Sequence, residues 1–266
     1  MARITNADLA DVAILAADGA VLSAWTIQPR NSNGSVAILL HGLGDNRLGM
    51  IGYLGLLLRH GFAVLMPDAR AHGNSGGKLA TFGLLESEDV HRWFDWLQKK
   101  QNAACIFGFA ESMGAAQLLQ SLDVEPRFCA VAAESPFSSF REIAYDRVGQ
   151  LFHTGSWLGR SLLRPVVEVA FNYARRKYQL KFEHVSPENA VAATKVPVLL
   201  IHGRSDANIP VQHSRSITAR NPHVVLWEVP NADHCVAITA APYELEQRLV
   251  AWFNGRPRPP DLLDAP

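Results

Sequence analysis

The chain has 266 residues, 48% of them hydrophobic and 19% charged, enough to bury the core of one large α/β domain or of two small domains of roughly 130 residues each. Twenty-five basic residues balance twenty-five acidic ones. A neutral chain has no general electrostatic pull on nucleic acid or on an anionic membrane, so no nucleic-acid partner is expected, although a local basic patch is compatible with this balance.

In chain order, residues 1–11 hold no apolar core of signal-peptide length, and no run approaches the roughly 18 apolar residues of a membrane span. A cytoplasmic protein without a membrane span is therefore expected, with the proviso that a trimmed export signal leaves the same sequence. Residues 12–16 and 21–25 are apolar and are joined near Asp18-Gly19, which reads as a β-hairpin. Six short apolar runs follow, at residues 36–40, 62–66, 105–109, 128–133, 196–201 and 224–229. Each is too short for a core helix and reads as a strand buried on both faces. Helical segments are expected between them at 48–60, 86–100, 113–122, 211–219 and 242–254. The second carries a stripe of Val90, Trp93, Phe94 and Leu97 at three- and four-residue spacing. This alternation implies an α/β fold with a mostly parallel sheet flanked by helices.

Residues 135–194 break the alternation. They hold no clear strand, and the stretch is too long for a simple loop. It reads as a helical cap inserted over the open end of the sheet, or else as a few helices packed beside the core. The end, residues 255–266, is rich in proline and reads as an irregular tail. Cys105, Cys129 and Cys235 are far apart and odd in number, which suggests neither a zinc site nor a disulfide framework. Cys105 and Cys129 read as buried small hydrophobes.

The chemistry begins at Gly108-Phe-Ala-Glu-Ser112-Met-Gly114. A serine between a strand and a helix, with tiny residues two positions to either side, marks a turn so sharp that only small flanks fit. Its hydroxyl is exposed, and the helix N-terminus offers free N–H groups to a developing negative charge. Downstream, Asp206 and His234 lie in loops that follow expected strands, where open α/β sheets form their sites. The order Ser112, Asp206, His234 suits a nucleophile, an orienting acid and a general base. Glu134, just after a strand, and Asp233, next to the histidine, are rival acids. Asp68 and His41 read as structural loop residues. The glycine-rich run His41-Gly-Leu-Gly44 lets backbone approach substrate, with the N–H groups of Leu43 and Met113 as an oxyanion-hole pair. No phosphate-binding lysine pattern accompanies these glycines. Phe109, Phe137, Phe140 and Trp157 are expected to line an apolar substrate pocket, or else to be ordinary core.

From His41-Gly-Leu-Gly-Asp-Asn-Arg through Asp68-Ala-Arg-Ala-His-Gly-Asn-Ser, Glu111-Ser-Met-Gly and His202-Gly-Arg-Ser-Asp-Ala-Asn-Ile-Pro to Ala232-Asp-His, the chain resembles the α/β-hydrolase superfamily, in its bacterial carboxylesterase and prolyl-oligopeptidase-like branch. The resemblance implies an eight-stranded, mostly parallel sheet, an inserted cap, no cofactor and no metal, with Ser112, Asp206 and His234 as the triad and Leu43 and Met113 as oxyanion donors. It departs from the pattern at Ala110, where glycine is usual, and at Ala71, where the loop often has glycine. The expected activity is carboxylic ester hydrolysis of a small-molecule substrate through an acyl-enzyme on Ser112. Peptidase or thioester chemistry on the same triad, and a non-catalytic ligand-binding role, are the alternatives. Oligomeric state is not legible, and the basic stretch 175–181 reads as a solvated face or as a docking site for an anionic partner.

Overall fold

The structure, a computed structural model, describes residues 7–101, 103–154 and 157–255. Its centre is one eight-stranded sheet in the order β1-β2-β4-β3-β5-β6-β7-β8. The strands are β1 (Ala7–Leu15), β2 (Val21–Pro29), β3 (Ser35–Leu40), β4 (Ala63–Pro67), β5 (Cys105–Glu111), β6 (Ala130–Glu134), β7 (Val198–Gly203) and β8 (Val224–Val229). β1 pairs antiparallel with β2, and β2 antiparallel with β4. Every other neighbouring pair is parallel. The Asp18-Gly19 turn closes the first hairpin, with Gly19 in the left-handed region at φ +82°. Central strands such as Ala-Val-Leu-Met-Pro in β4 are buried at every position, because helices cover both faces of a parallel sheet.

The helices of the expected alternation are α1 (Ile51–Arg59), α2 (Glu86–Gln101) and α3 (Ser112–Ser121), followed late in the chain by α8 (Gln212–Arg220) and α10 (Pro242–Phe253), with a short helix α9 (Ala237–Ala240), not expected from the sequence, before the last. In α2 the expected stripe of Val90, Trp93, Phe94 and Leu97 is buried. Acidic Glu86, Glu88 and Asp89 open that helix and Lys99 and Lys100 close it, which suits the helix dipole at both ends. Two large apolar clusters sandwich the sheet. One is built on Ile38, Leu65, Trp93, Leu118 and Leu200, the other on Leu39, Val64, Phe107, Phe109 and Leu249. The split follows the two-residue period of strands, which sends alternate side chains to opposite faces.

Between β6 and β7 lie α4 (Phe140–Leu151), α5 (Trp157–Arg160), α6 (Arg164–Tyr178) and α7 (Pro187–Ala192). Their packing forms smaller clusters of their own, around Phe137, Ile143 and Val185 and around Tyr145, Val167 and Phe171. A buried polar chain fastens α4 to α8. The N–H of Ser138 donates to His213 Nδ1 at 3.1 Å, and His213 Nε2 meets Asp146 Oδ2 at 2.8 Å. Among the described residues no helix is long and apolar enough to cross a membrane. The tail expected at 255–266 lies, beyond Gly255, outside the described residues.

The cysteines depart from expectation. Cys105 and Cys129 are half-buried and joined by a disulfide across the start of β5 and the residue before β6. Parallel pairing of these two strands puts the residues side by side, although 24 positions separate them.

Candidate active site

β5 runs directly into α3, and Ser112 occupies the junction at φ +51°, a backbone region that serine rarely adopts. The reason for Gly114 is spatial. A Cβ there would come within 2.6 Å of the carbonyl oxygen of His41 and 2.7 Å of that of Leu40. Helix α3 thus starts hard against the end of β3, and any larger residue would push it away. Ala110 is fully buried and accepts its methyl group where glycine is usual. Ala71, the other departure, adopts the left-handed region itself, at φ +60°.

The loops after β7 and β8 bring the other two residues to Ser112. His234 Nε2 lies 2.9 Å from Ser112 Oγ, and His234 Nδ1 lies 2.8 Å from Asp206 Oδ2. Burial alone would raise the Asp206 pKa. Hydrogen bonds from His202, His234 and the Ile209 N–H outweigh it and hold the carboxyl far below the usual carboxylate range. Its Oδ1 accepts the N–H groups of Asn208 and Ile209, at 2.9 and 2.8 Å. Asp206 is therefore a fixed negative charge aimed at Nδ1, which leaves Nε2 to accept from the serine hydroxyl.

The rival acids have other partners. Glu134 accepts from the Tyr53 hydroxyl at 2.6 Å and from the Ala237 N–H at 2.9 Å. Asp233 accepts from the Ala207 and His234 N–H groups and so ties the two loops together. His41 is buried and its pKa is lowered by that burial; its Nε2 accepts the N–H of Ala69, while Nδ1 meets the carbonyl of Gly42. Asp68 takes the Arg47 guanidinium and the backbone N–H groups of Arg47 and Asn74. Cys235 Sγ sits 3.6 Å from His234 Nε2, but burial pushes its thiol pKa well up, which disfavours the reactive thiolate.

A cavity of about 560 Å³ opens at Ser112. Its wall includes Leu43 and Met113 beside the serine, then Phe82, Phe137, Phe140, Ile143, Val167, Phe171, Phe182 and Ile209. A Cβ on Gly42 would lie 3.5 Å from Ser112 Cβ, so the His41–Gly44 loop passes directly beside the serine. Met113 is the second residue of α3, and its N–H is one of the first-turn donors that a helix cannot satisfy internally.

Two expected pocket residues lie elsewhere. Phe109 is fully buried on the far face of the sheet, with its ring 4.2 Å from that of Tyr53. Trp157 is 64% exposed at the start of α5 and does not line the cavity. Sequence reading missed Phe82, which sits in an irregular loop without periodicity, and the α6 set Val167, Ala170, Phe171 and Ala174, which shares one helical face. The described residues include one histidine–carboxylate group with metal-like spacing, His91, Asp95 and Glu125. It lies outside the cavity, and Arg127 already donates to Asp95 at 2.7 Å and to Glu125.

Comparison with known proteins bears on the fold that carries this site. The chain is 28% identical over 231 residues to the uncharacterised protein YqkD of Bacillus subtilis, covering 85% of this chain and 73% of that one. It is 26% identical over 239 residues to the uncharacterised protein YfhR of Escherichia coli K12, covering 86% and 74%. Among solved structures it is similar to the Pyrococcus furiosus esterase Pf2001, with a TM-score of 0.74, 26% identity and coverage of 94% of this chain and 93% of that one. Residues 37–247 match the model of the alpha/beta hydrolase family, and the eight-stranded sheet has that family's form; the chain belongs to the α/β-hydrolases.

Proposed function

We propose that the protein is a serine carboxylesterase, with Ser112 as nucleophile, His234 as general base and Asp206 as orienting acid. The observation that carries this reading is the unbroken chain of contacts from Asp206 through His234 to Ser112, at 2.8 and 2.9 Å, opening into an apolar cavity. Esterase structures among the similar folds support it.

In the first half-reaction His234 Nε2 takes the hydroxyl proton as Ser112 Oγ bonds to the ester carbonyl carbon. The N–H groups of Leu43 and Met113 receive the oxyanion, and Asp206 stabilises the imidazolium. The tetrahedral adduct collapses, the C–O bond to the alcohol breaks, and His234 returns the proton to the leaving alkoxide. Water then attacks the acyl-enzyme with His234 again as base, releasing the acid and restoring Ser112. The reaction needs no cofactor or metal. In this reading the helices between β6 and β7 form a cap, and its Phe137 and Phe140, with the Phe171 and Phe182 not foreseen from sequence, hold the apolar part of the ester.

The test is hydrolysis of p-nitrophenyl esters from acetate to palmitate by wild type and Ser112→Ala, with circular dichroism as the fold control. Loss of activity in the folded variant supports the reading. Equal turnover by both proteins, or none by either, sinks it. A p-nitroanilide series run in parallel separates ester from amide preference.

A further inference from the structure

Helix α6 is apolar on two sides. Val167, Ala170, Phe171 and Ala174 face the cavity. On another face Val166, Val169 and Tyr173 follow Leu162 at helical spacing, and all four are exposed, at 58%, 67%, 56% and 73% respectively. Trp157 on α5, and Leu151 and Phe152 at the end of α4, add exposed apolar surface in the same stretch of chain. Soluble surfaces rarely carry so much uncovered apolar area without a contact to make.

The charge of this stretch departs from that of the whole. Residues 151–181 contain Arg160, Arg164, Arg175, Arg176, Lys177 and Lys181 against Glu168 alone, in a chain whose acids and bases otherwise balance. Arg176 continues the exposed α6 row beyond Tyr173, three residues on. Among the described residues Arg164, Arg176 and Lys181 form no ion pair. Aromatic and aliphatic side chains interleaved with unpaired cations on a helix suit the boundary between acyl chains and anionic headgroups. A second copy of the chain suits it poorly, since a two-fold contact would bring this cationic stretch against itself.

We propose that the α5–α6 face is a docking surface for an anionic lipid bilayer. The apolar row lies in the headgroup boundary, and Arg176, Lys177 and Lys181 meet the lipid phosphates. The surface continues into the interior, because Val166 is both exposed and part of the cavity wall, as is Leu43 beside Ser112. A docked molecule presents its cavity to the layer where hydrophobic molecules concentrate. Docking itself does not depend on the esterase reading.

The experiment is co-sedimentation of the full chain with phosphatidylcholine vesicles, with and without phosphatidylglycerol. Wild type is compared with Val169→Asp and with a triple reversal, Arg176→Glu with Lys177→Glu and Lys181→Glu; none of these residues lines the cavity. Wild type is expected to bind the phosphatidylglycerol vesicles roughly tenfold more tightly and to release with added salt. The triple reversal is expected to lose that preference, and Val169→Asp to bind neither vesicle well. Circular dichroism of each variant shows that the fold survives. Absence of wild-type binding, or binding unchanged in both variants, overturns the proposal. So does gel filtration in which wild type is a dimer and Val169→Asp a monomer, which would assign the face to self-association. A failure of the Ser112→Ala test leaves this one standing, and the reverse also holds.

Discussion

Glu111, the residue before Ser112, and Glu134 are register partners on adjacent parallel strands, and both lie close enough to the Tyr53 hydroxyl to interact with it. Burial, then the charge of Glu134, pushes the Glu111 pKa up to about 8. Unfolded, this carboxyl ionises near 4.5. Over that window the folded state holds a proton that the unfolded state has lost. The stability linked to this proton is therefore complete at low pH and is lost as pH rises through about 8. Glu111→Gln keeps the shape and removes the ionisation. It is expected to match wild type at about pH 5 and to exceed it by on the order of 2 kcal/mol at about pH 9, a figure reduced from the full shift for partial solvent access. Urea unfolding at the two pH values checks this, and parallel pH dependences in the two proteins would refute it.

Asp206→Asn preserves size but allows the wrong imidazole tautomer. A fall in kcat/KM of roughly 10³- to 10⁴-fold on p-nitrophenyl acetate is expected, together with some loss of thermal stability, because the amide gives up the charge-assisted hydrogen bonds at this buried carboxylate. A loss below about tenfold would shift the acid role elsewhere, with Glu134 the first place to look.

Ala144 lies on α4 and lines the cavity. Ala144→Phe should shorten the accessible channel. Turnover of the longest esters is expected to fall by roughly tenfold or more while acetate is spared, because each misplaced methylene costs about 1–3 kcal/mol. Uniform loss across the series would place the reacting ester outside this cavity.

The Cys105–Cys129 bridge closes a loop of 24 residues at the end of the strands remote from Ser112. Reduction, or Cys105→Ser with Cys129→Ser, is expected to lower stability by about 2–3 kcal/mol and Tm by roughly 5–10 °C. Esterase activity at room temperature should survive, and its loss would reveal a link between the bridge and the turn at Ser112.

Much of this architecture is legible in the sequence, because strands buried on both faces must be short and apolar, and because the sharp turn at Ser112 tolerates only small residues two positions to either side. The order of Ser112, Asp206 and His234 follows from the same strand ends. The disulfide is not legible, since its partners become neighbours only through the pairing of β5 with β6. Phe109 shows another limit. Its residue type suits a pocket, but its register on β5 sends it to the packed face beside Tyr53. The cavity wall depends on how α4 and α6 cross, and no local pattern in residues 135–194 encodes that crossing.

The separate packing of that wall has an evolutionary consequence. Phe137, Ile143, Val167 and Phe171 belong to small clusters that share no buried member with the two cores flanking the sheet. A substitution among them redraws the cavity beside Ser112 while the strands that lead to Ser112, Asp206 and His234 keep their neighbours. Descendants of such a chain are free to change diet one wall residue at a time, with the reaction left intact beneath.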